Sequence, residues 1–177
     1  MIETPRLILR RFTLADAPAM RTYRNTPAIA RYQAWRSPLT HEDAEHQVLL
    51  YAKQEPAEAG WFQYAVEHKG TGHLAGDLGV RLDDDLLQAE IGFTLAPAFQ
   101  RQGYGTEMVL SILDHLFAQG MRRVYAECDI RNTRSAALLE RTGFRHEGTR
   151  TRPTININTG ERTDMTLYEL SHHQRTA

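Results

Sequence analysis

The spacing of hydrophobic residues along this chain changes period several times, and each change marks an element. After Pro5, "RLILRRF" (6–12) alternates apolar with basic residues, the two-residue period of a strand. "TLADAPAMRTYRN" (13–25) and "THEDAEHQVLLYAKQ" (40–54) switch to helical spacing, and the second opens with Thr40 and Asp43, a variant of the capping box. From Trp61 the period returns to two in "WFQYAVEHK", "HLAGDLGVRL" and "LLQAEIGFTL", separated by "GTG" and "DDD" turns, which predicts a three-stranded antiparallel meander. Met108, Val109, Ile112, Leu113, Leu116 and Phe117 then recur at helical spacing until Gly120. A strand "RRVYAECD" (122–129) follows. "NTRSAALLERTGF" (132–144) reads as a helix with Asn132 as its N-cap and Gly143 as its terminator, and "FRHEGTRTR" and "TDMTLYEL" close the chain as two more strands.

Neither a repeat nor a long linker interrupts this succession, and 177 residues suit a single domain spanning 1–177. The hydrophobic share of 41% is enough for a real core, and the formal net charge of −1 offers no basic field for nucleic acid. The lone cysteine, Cys128, excludes an internal disulfide and points to a reducing, cytoplasmic compartment. The N-terminus lacks the apolar core of a signal peptide, and no uncharged run approaches the roughly 20 residues a membrane helix needs. Eight histidines raise the question of a metal, but His41, His46, His68 and His73 show no ligand spacing and "SHH" near the end reads as a solvated tail, so no metal is expected.

"FQRQGYGTE" (99–107) is the segment that carries chemistry. It joins a strand to a helix through two glycines and an arginine, where backbone can approach a ligand closely and helix N-terminal amides attract an anion, phosphate first of all. Two familiar phosphate motifs fail here: a P-loop needs a lysine and a hydroxyl residue after its last glycine, and the dinucleotide fingerprint needs a third glycine where Met108 stands.

What remains, Gln100-x-x-Gly103-x-Gly105 at a strand-to-helix turn, resembles the GCN5-related N-acetyltransferases (GNAT), in which Gln/Arg-x-x-Gly-x-Gly/Ala holds the pyrophosphate of acetyl-coenzyme A. The whole order of elements is similar to that family's. "TPRLILRRFTLADA", "EIGFTLAPAFQRQGYGTEM", "NTRSAALLERTGF" and "MTLYEL" resemble the branch that includes the ribosomal-protein N-terminal acetyltransferases. The resemblance implies an α/β (α+β) fold with a mixed, mostly antiparallel sheet of about seven strands and about four flanking helices. It implies Phe93, Thr94, Leu95, Gln100, Arg101, Gln102, Gly103, Tyr104, Gly105 and Thr106 as the coenzyme-binding stretch, with Asn132 and Ser135 bordering the pantetheine arm. Each has a plainer alternative: a tight turn for the glycines, solvation for Arg101, helix capping for Asn132.

Proton removal from the amine is assigned to Glu90, which alternation puts with Gly92 and Thr94 on the face opposite Ala89, Ile91, Phe93 and Leu95. In the resembled family that face borders the acyl-transfer cleft; the alternative is a carboxylate facing solvent or paired with an arginine. Leu139 occupies the position where many members of the resembled family place a tyrosine, so the expected acid toward the departing thiolate is Ser135 or a water it holds, the alternative being no acid at all. Trp35, between the first two helices, either overhangs the acceptor or packs as an ordinary tryptophan. Cys128 alternates with Val124 and Ala126 as a core thiol.

The expected activity is transfer of acetyl from acetyl-CoA to a primary amine by direct attack, with a protein N-terminal α-amine as the first choice of acceptor and a small-molecule amine as the second. A coenzyme A-binding sensor without turnover is the rival from another class. The branch resembled makes a homodimer a reasonable assembly.

Overall fold

The computed structural model describes residues 1–175, with side chains for all of them but 150–154. One eight-stranded sheet runs in the order β1-β2-β3-β4-β5-β6-β8-β7. Its strands are β1 (Ile2–Glu3), β2 (Leu7–Arg11), β3 (Gly60–His68), β4 (Leu74–Leu82), β5 (Gln88–Leu95), β6 (Arg123–Asp129), β7 (Arg145–Ile155) and β8 (Arg162–Ser171). Every neighbouring pair is antiparallel except β5–β6. The strand beyond the seven expected is β1, two residues that pair with Leu9 and Ile8 and are too short to show a period.

The helices are α1 (Ala17–Arg24), α2 (Pro27–Ala30), α3 (His41–Ala52), α4 (Tyr104–Ala118), α5 (Thr133–Arg141) and α6 (His172–Arg175). None is long and apolar enough to cross a membrane. The first predicted helix is shorter than its pattern because Leu14–Asp16 forms a 3-10 turn, with the Asp16 carboxylate accepting from the Thr13 amide at 2.8 Å. The box predicted for α3 forms: Thr40 Oγ1 accepts from the Asp43 amide at 3.1 Å, and the Asp43 carboxylate accepts from the Thr40 amide at 3.0 Å. "SHH" is not a simple tail. His172 and His173 open α6, and the His172 ring meets Phe117 edge-on at 5.4 Å.

Alternation divides the core between the two faces of the sheet. On one face Leu7, Leu9, Leu78, Val80, Ile91, Val124, Ala126 and Cys128 meet the predicted stripe of α4. On the other, Ala65 and Leu74 pack with Met20 and Tyr23 of α1 and Ala44 and Val48 of α3. β4, buried almost end to end, lies at the centre because both layers cover it.

Candidate active site

The site begins where β5 and β6 part. Their parallel pairing covers only Gln88, Ala89 and Glu90, against Arg123, Val124 and Tyr125. Beyond that point β5 continues to Leu95 against β4 alone. The Gln88 carbonyl and Ala96 amide bond toward β4, so strand alternation turns the backbone groups of Ile91, Phe93 and Leu95 to the opposite side, into the gap left by β6. Gln100 Nε2 donates to the Leu95 carbonyl at 2.9 Å and the Glu90–Tyr125 rung takes the Ile91 amide, leaving the Ile91 carbonyl, both groups of Phe93 and the Leu95 amide facing the wedge. An extended polar chain inserted there could pair with them as a missing strand would.

The wedge opens into a cavity of about 690 Å³. Phe93, Thr94 and Leu95 from β5, Gln100, Arg101, Gly103, Gly105 and Thr106 from the turn and α4, and Asn132 and Ser135 from α5 all line it. Ten of the expected residues are thus brought together from segments up to 42 positions apart in sequence. The turn has the backbone a phosphate cradle needs: Arg101 at φ 62° and Gly103 at φ 82° are both left-handed, just ahead of the α4 N-terminus. Asn132 caps α5 by accepting from the Ser135 amide at 3.2 Å. Arg101 and Arg134 stand exposed at the rim, and Arg141 Nε reaches Thr106 Oγ1 at 3.4 Å. Arg131 is committed elsewhere, to Asp129 at 2.8 Å and Glu161 at 2.6 Å.

Four expected residues lie outside the lining. Gln102 turns its side chain back to the Ala98 carbonyl at 2.7 Å, and Tyr104 is buried behind the turn, its hydroxyl 3.0 Å from His68 Nε2. Trp35 stacks under the Arg24 guanidinium, 4.2 Å from it, in a network where Arg24 meets Asp77 at 3.0 Å. Glu90 is on the predicted face but too near the start of β5, where the strands are still joined. Arg81 Nε and Nη2 donate to its Oε2 at 3.0 and 2.9 Å, and Tyr125 flanks the pair. The alternative of an arginine-paired carboxylate therefore describes its surroundings. Leu139 is fully buried in the main core and supplies no proton. Gly105 lines the cavity without needing special dihedrals; a Cβ there would meet Leu138 Cδ2 at 3.0 Å and Leu95 Cδ1 at 3.4 Å, so the glycine lets α4 close on α5.

The connection after α1 contributes a wall that sequence reasoning missed. Ala28, Ile29, Arg31, Tyr32 and Gln33 line the cavity opposite the turn, and Gln33 Nε2 donates to Thr94 Oγ1 at 3.3 Å. The β7–β8 turn pins this wall: Asn158 Nδ2 donates to the Ala30 and Trp35 carbonyls at 2.9 and 2.8 Å, and Asn156 Nδ2 to the Arg31 carbonyl at 2.6 Å. Those asparagines lie in "NINTG", a plain turn composition with no periodic signal linking it to residues 123 to 128 positions earlier. Behind the lining, burial pushes the Cys128 thiol up to about 11, with Ser135 pulling weakly the other way, which leaves it a neutral core group. Among the described residues no group of three His, Cys, Asp or Glu side chains converges as a metal site would require.

Comparison with known proteins agrees with this geometry. The family model for the acetyltransferase (GNAT) domain matches residues 6–145. An uncharacterized N-acetyltransferase of Bacillus subtilis, YoaA, is 29% identical over 150 residues, 84% of each chain. Among solved structures, a GNAT-family acetyltransferase from Bacillus anthracis superposes with a TM-score of 0.84 at 24% identity over 97% of this chain and 98% of its own. RimL, a ribosomal-protein α-N-acetyltransferase solved with coenzyme A, gives 0.80 at 21% identity over 95% of each chain. A sheet that splays beside a left-handed turn at a helix N-terminus, matched by that family model over most of its length, makes this chain a member of the GNAT family, an acetyl-CoA-dependent N-acetyltransferase.

Proposed function

We propose that the enzyme acetylates α-amines, a protein N-terminus being the first candidate, by direct attack of an amine that arrives already neutral. The observation that carries this reading is the composition of the cavity wall. Arginines 31, 101, 134 and 141 line it along with Arg131, which Asp129 and Glu161 already pair, while among the described residues none of its lining is a carboxylate, histidine or cysteine. An α-amine with a pKa near 8 is roughly a tenth neutral at pH 7, whereas a lysine near 10.4 is below about a tenth of a per cent. A site without a strong base therefore suits the first far better, and its positive rim disfavours polyamines.

The coenzyme would supply a thioester carbonyl activated for acyl transfer. The residues fit it: left-handed turn amides and the α4 N-terminus for the pyrophosphate, the free edge of β5 for the pantetheine, and edge amides beyond Glu90 to receive charge developing on the carbonyl oxygen. The amine nitrogen forms the C–N bond as the C–S bond breaks, and its proton leaves to water. Ser135, at the head of α5 and in the cavity lining, or a water it holds, would donate toward the thiolate, which with a pKa near 8.5 leaves readily in any case. The RimL neighbour supports a protein α-amine, and the MccE immunity acetyltransferase, solved with acetyl-CoA and AMP, keeps a small-molecule amine as the second reading.

The test is thiol release from acetyl-CoA with panels of N-terminal peptides, lysine side chains and polyamines across pH 6–9. The reading expects turnover with α-amines, rising with pH through the amine's own pKa. Preference for lysine or polyamine at neutral pH would overturn it, and silence with every amine would favour a coenzyme sensor.

A further inference from the structure

The phosphate turn is braced from behind by the segment that precedes β2. Glu107, in the first turn of α4, places a carboxylate at the helix end that the turn presents to an anion. That carboxylate is claimed three times. Thr4 Oγ1 donates to its Oε1 at 2.6 Å, the Arg6 amide to the same oxygen at 2.8 Å, and Arg6 Nε to Oε2 at 2.6 Å. Burial opposes its ionisation, but the Thr4 and Arg6 hydrogen bonds outweigh it and hold the group below the usual carboxylate range. An ionised carboxylate in this position would repel a pyrophosphate unless a cation cancelled it.

Arg6 does a second thing with its other nitrogens. Nη1 donates to the Gln102 carbonyl at 3.0 Å, while the guanidinium lies over the Tyr104 ring at 4.3 Å. A trans peptide points its C=O and N–H in opposite directions. Holding the Gln102 carbonyl against Arg6 therefore sends the Gly103 N–H away from the brace, and Gly103 is a residue of the cavity wall. The fit is close: a Cβ built on Gly103 would stand 3.2 Å from Arg6 Nη2.

We propose that Arg6 is a positioning residue for coenzyme binding, cancelling the Glu107 charge at the α4 N-terminus and fixing the Gln102–Gly103 peptide with its amide toward the pyrophosphate. Arg6 itself need not touch the ligand. The inference rests on the reading of this turn as the pyrophosphate site, and two substrates separate the two ideas. Acetyl-CoA carries the pyrophosphate, and S-acetylpantetheine does not.

The experiment uses the full chain as wild type, Arg6→Gln, Glu107→Gln and the double variant, with calorimetric affinity for acetyl-CoA and steady-state kinetics on both thioesters. Arg6→Gln should weaken acetyl-CoA binding by about 10-fold, appearing in KM while kcat stays within about 2-fold, with S-acetylpantetheine unaffected. Glu107→Gln alone should bind within about 3-fold of wild type, and adding it to Arg6→Gln should recover the part of the loss that comes from the uncancelled charge, leaving the part that comes from the released Gln102–Gly103 peptide. Unchanged acetyl-CoA affinity in Arg6→Gln, equal losses on both thioesters, or no recovery in the double variant would each overturn the proposal. If wild type itself held the two thioesters equally tightly, the pyrophosphate reading of the turn would fail first. Should Arg6→Gln not fold, Arg6→Lys keeps the charge and loses the fork; a KM for acetyl-CoA raised at least about 3-fold with S-acetylpantetheine unaffected supports the brace, and a wild-type KM for acetyl-CoA overturns it.

Discussion

Arg81 and Glu90 are register partners across β4 and β5, and the guanidinium grips the carboxylate through two nitrogens at 3.0 and 2.9 Å. The pair sits below the point where β5 and β6 separate, so its charge is compensated before any amine could reach it. Glu90→Gln should therefore leave kcat within about 3-fold of wild type, since the carboxylate lies outside the cavity lining and cannot take the amine's proton. Steady-state rates of both proteins from pH 6 to 9 check this. A loss of two orders of magnitude with a displaced acid limb would restore Glu90 as a base.

Gly105 is the contact point of α4 with α5. A methyl at this position would press on Leu138 at 3.0 Å and Leu95 at 3.4 Å, so Gly105→Ala should cost about 1–3 kcal/mol of stability as overpacking. Trimming the neighbour in Gly105→Ala/Leu138→Ala should return part of that loss. Urea denaturation of the two variants decides it, and a Gly105→Ala protein as stable as wild type would show the turn to be more compliant than its packing suggests.

Arg24 and Asp77 form an ion pair in which both side chains are 2% exposed. Tyr23 and Gln63 also donate to the Asp77 carboxylate, Gln63 at 2.8 Å. Removing only the cation, as Arg24→Met, leaves a buried charge uncompensated and should destabilise the fold by roughly 3–5 kcal/mol. Because the guanidinium also supports Trp35 beside the α1–α3 connection, acceptor KM should rise at temperatures where the variant remains folded. Thermal melts and acceptor titrations measure the two effects separately.

The Cys128 thiol has its pKa raised in the folded state to about 11 from an ordinary 9.0. A raised folded value means that this contribution to stability is fully present below pH 9 and is lost as pH climbs through 9 to 11. The difference in urea midpoint between wild type and Cys128→Ala should shrink over that window. At pH 8 the native thiol should also alkylate much more slowly than in urea, by roughly two orders of magnitude from its smaller thiolate fraction.

Much of the site was legible because it depends on local pattern. The turn's glycines, its strand-to-helix setting, the Asn132 cap and the alternation of β5 are all short-range features, and the family resemblance they carry implied the ten residues that line the cavity. Glu90 shows the limit of that reasoning. Alternation assigns a face but not a depth along the strand, and the place where β5 loses β6 is a property of two strands separated by a whole helix. Gln33 and the asparagines of the β7–β8 turn were missed for the same reason, since no period connects them.

The sequence by itself determined the succession of elements, the buried stripe of α4, the two-faced sheet and a glycine turn at a strand-to-helix junction, because each follows from spacing that neighbouring residues impose on one another. Only the tertiary structure decided which strand edge stays open, that among the described residues arginines and no carboxylate line the cavity, and that Arg6 and Glu107 meet behind the turn. Those outcomes depend on where non-local strands pair and diverge, and backbone hydrogen bonding over such distances leaves no mark in the order of residues.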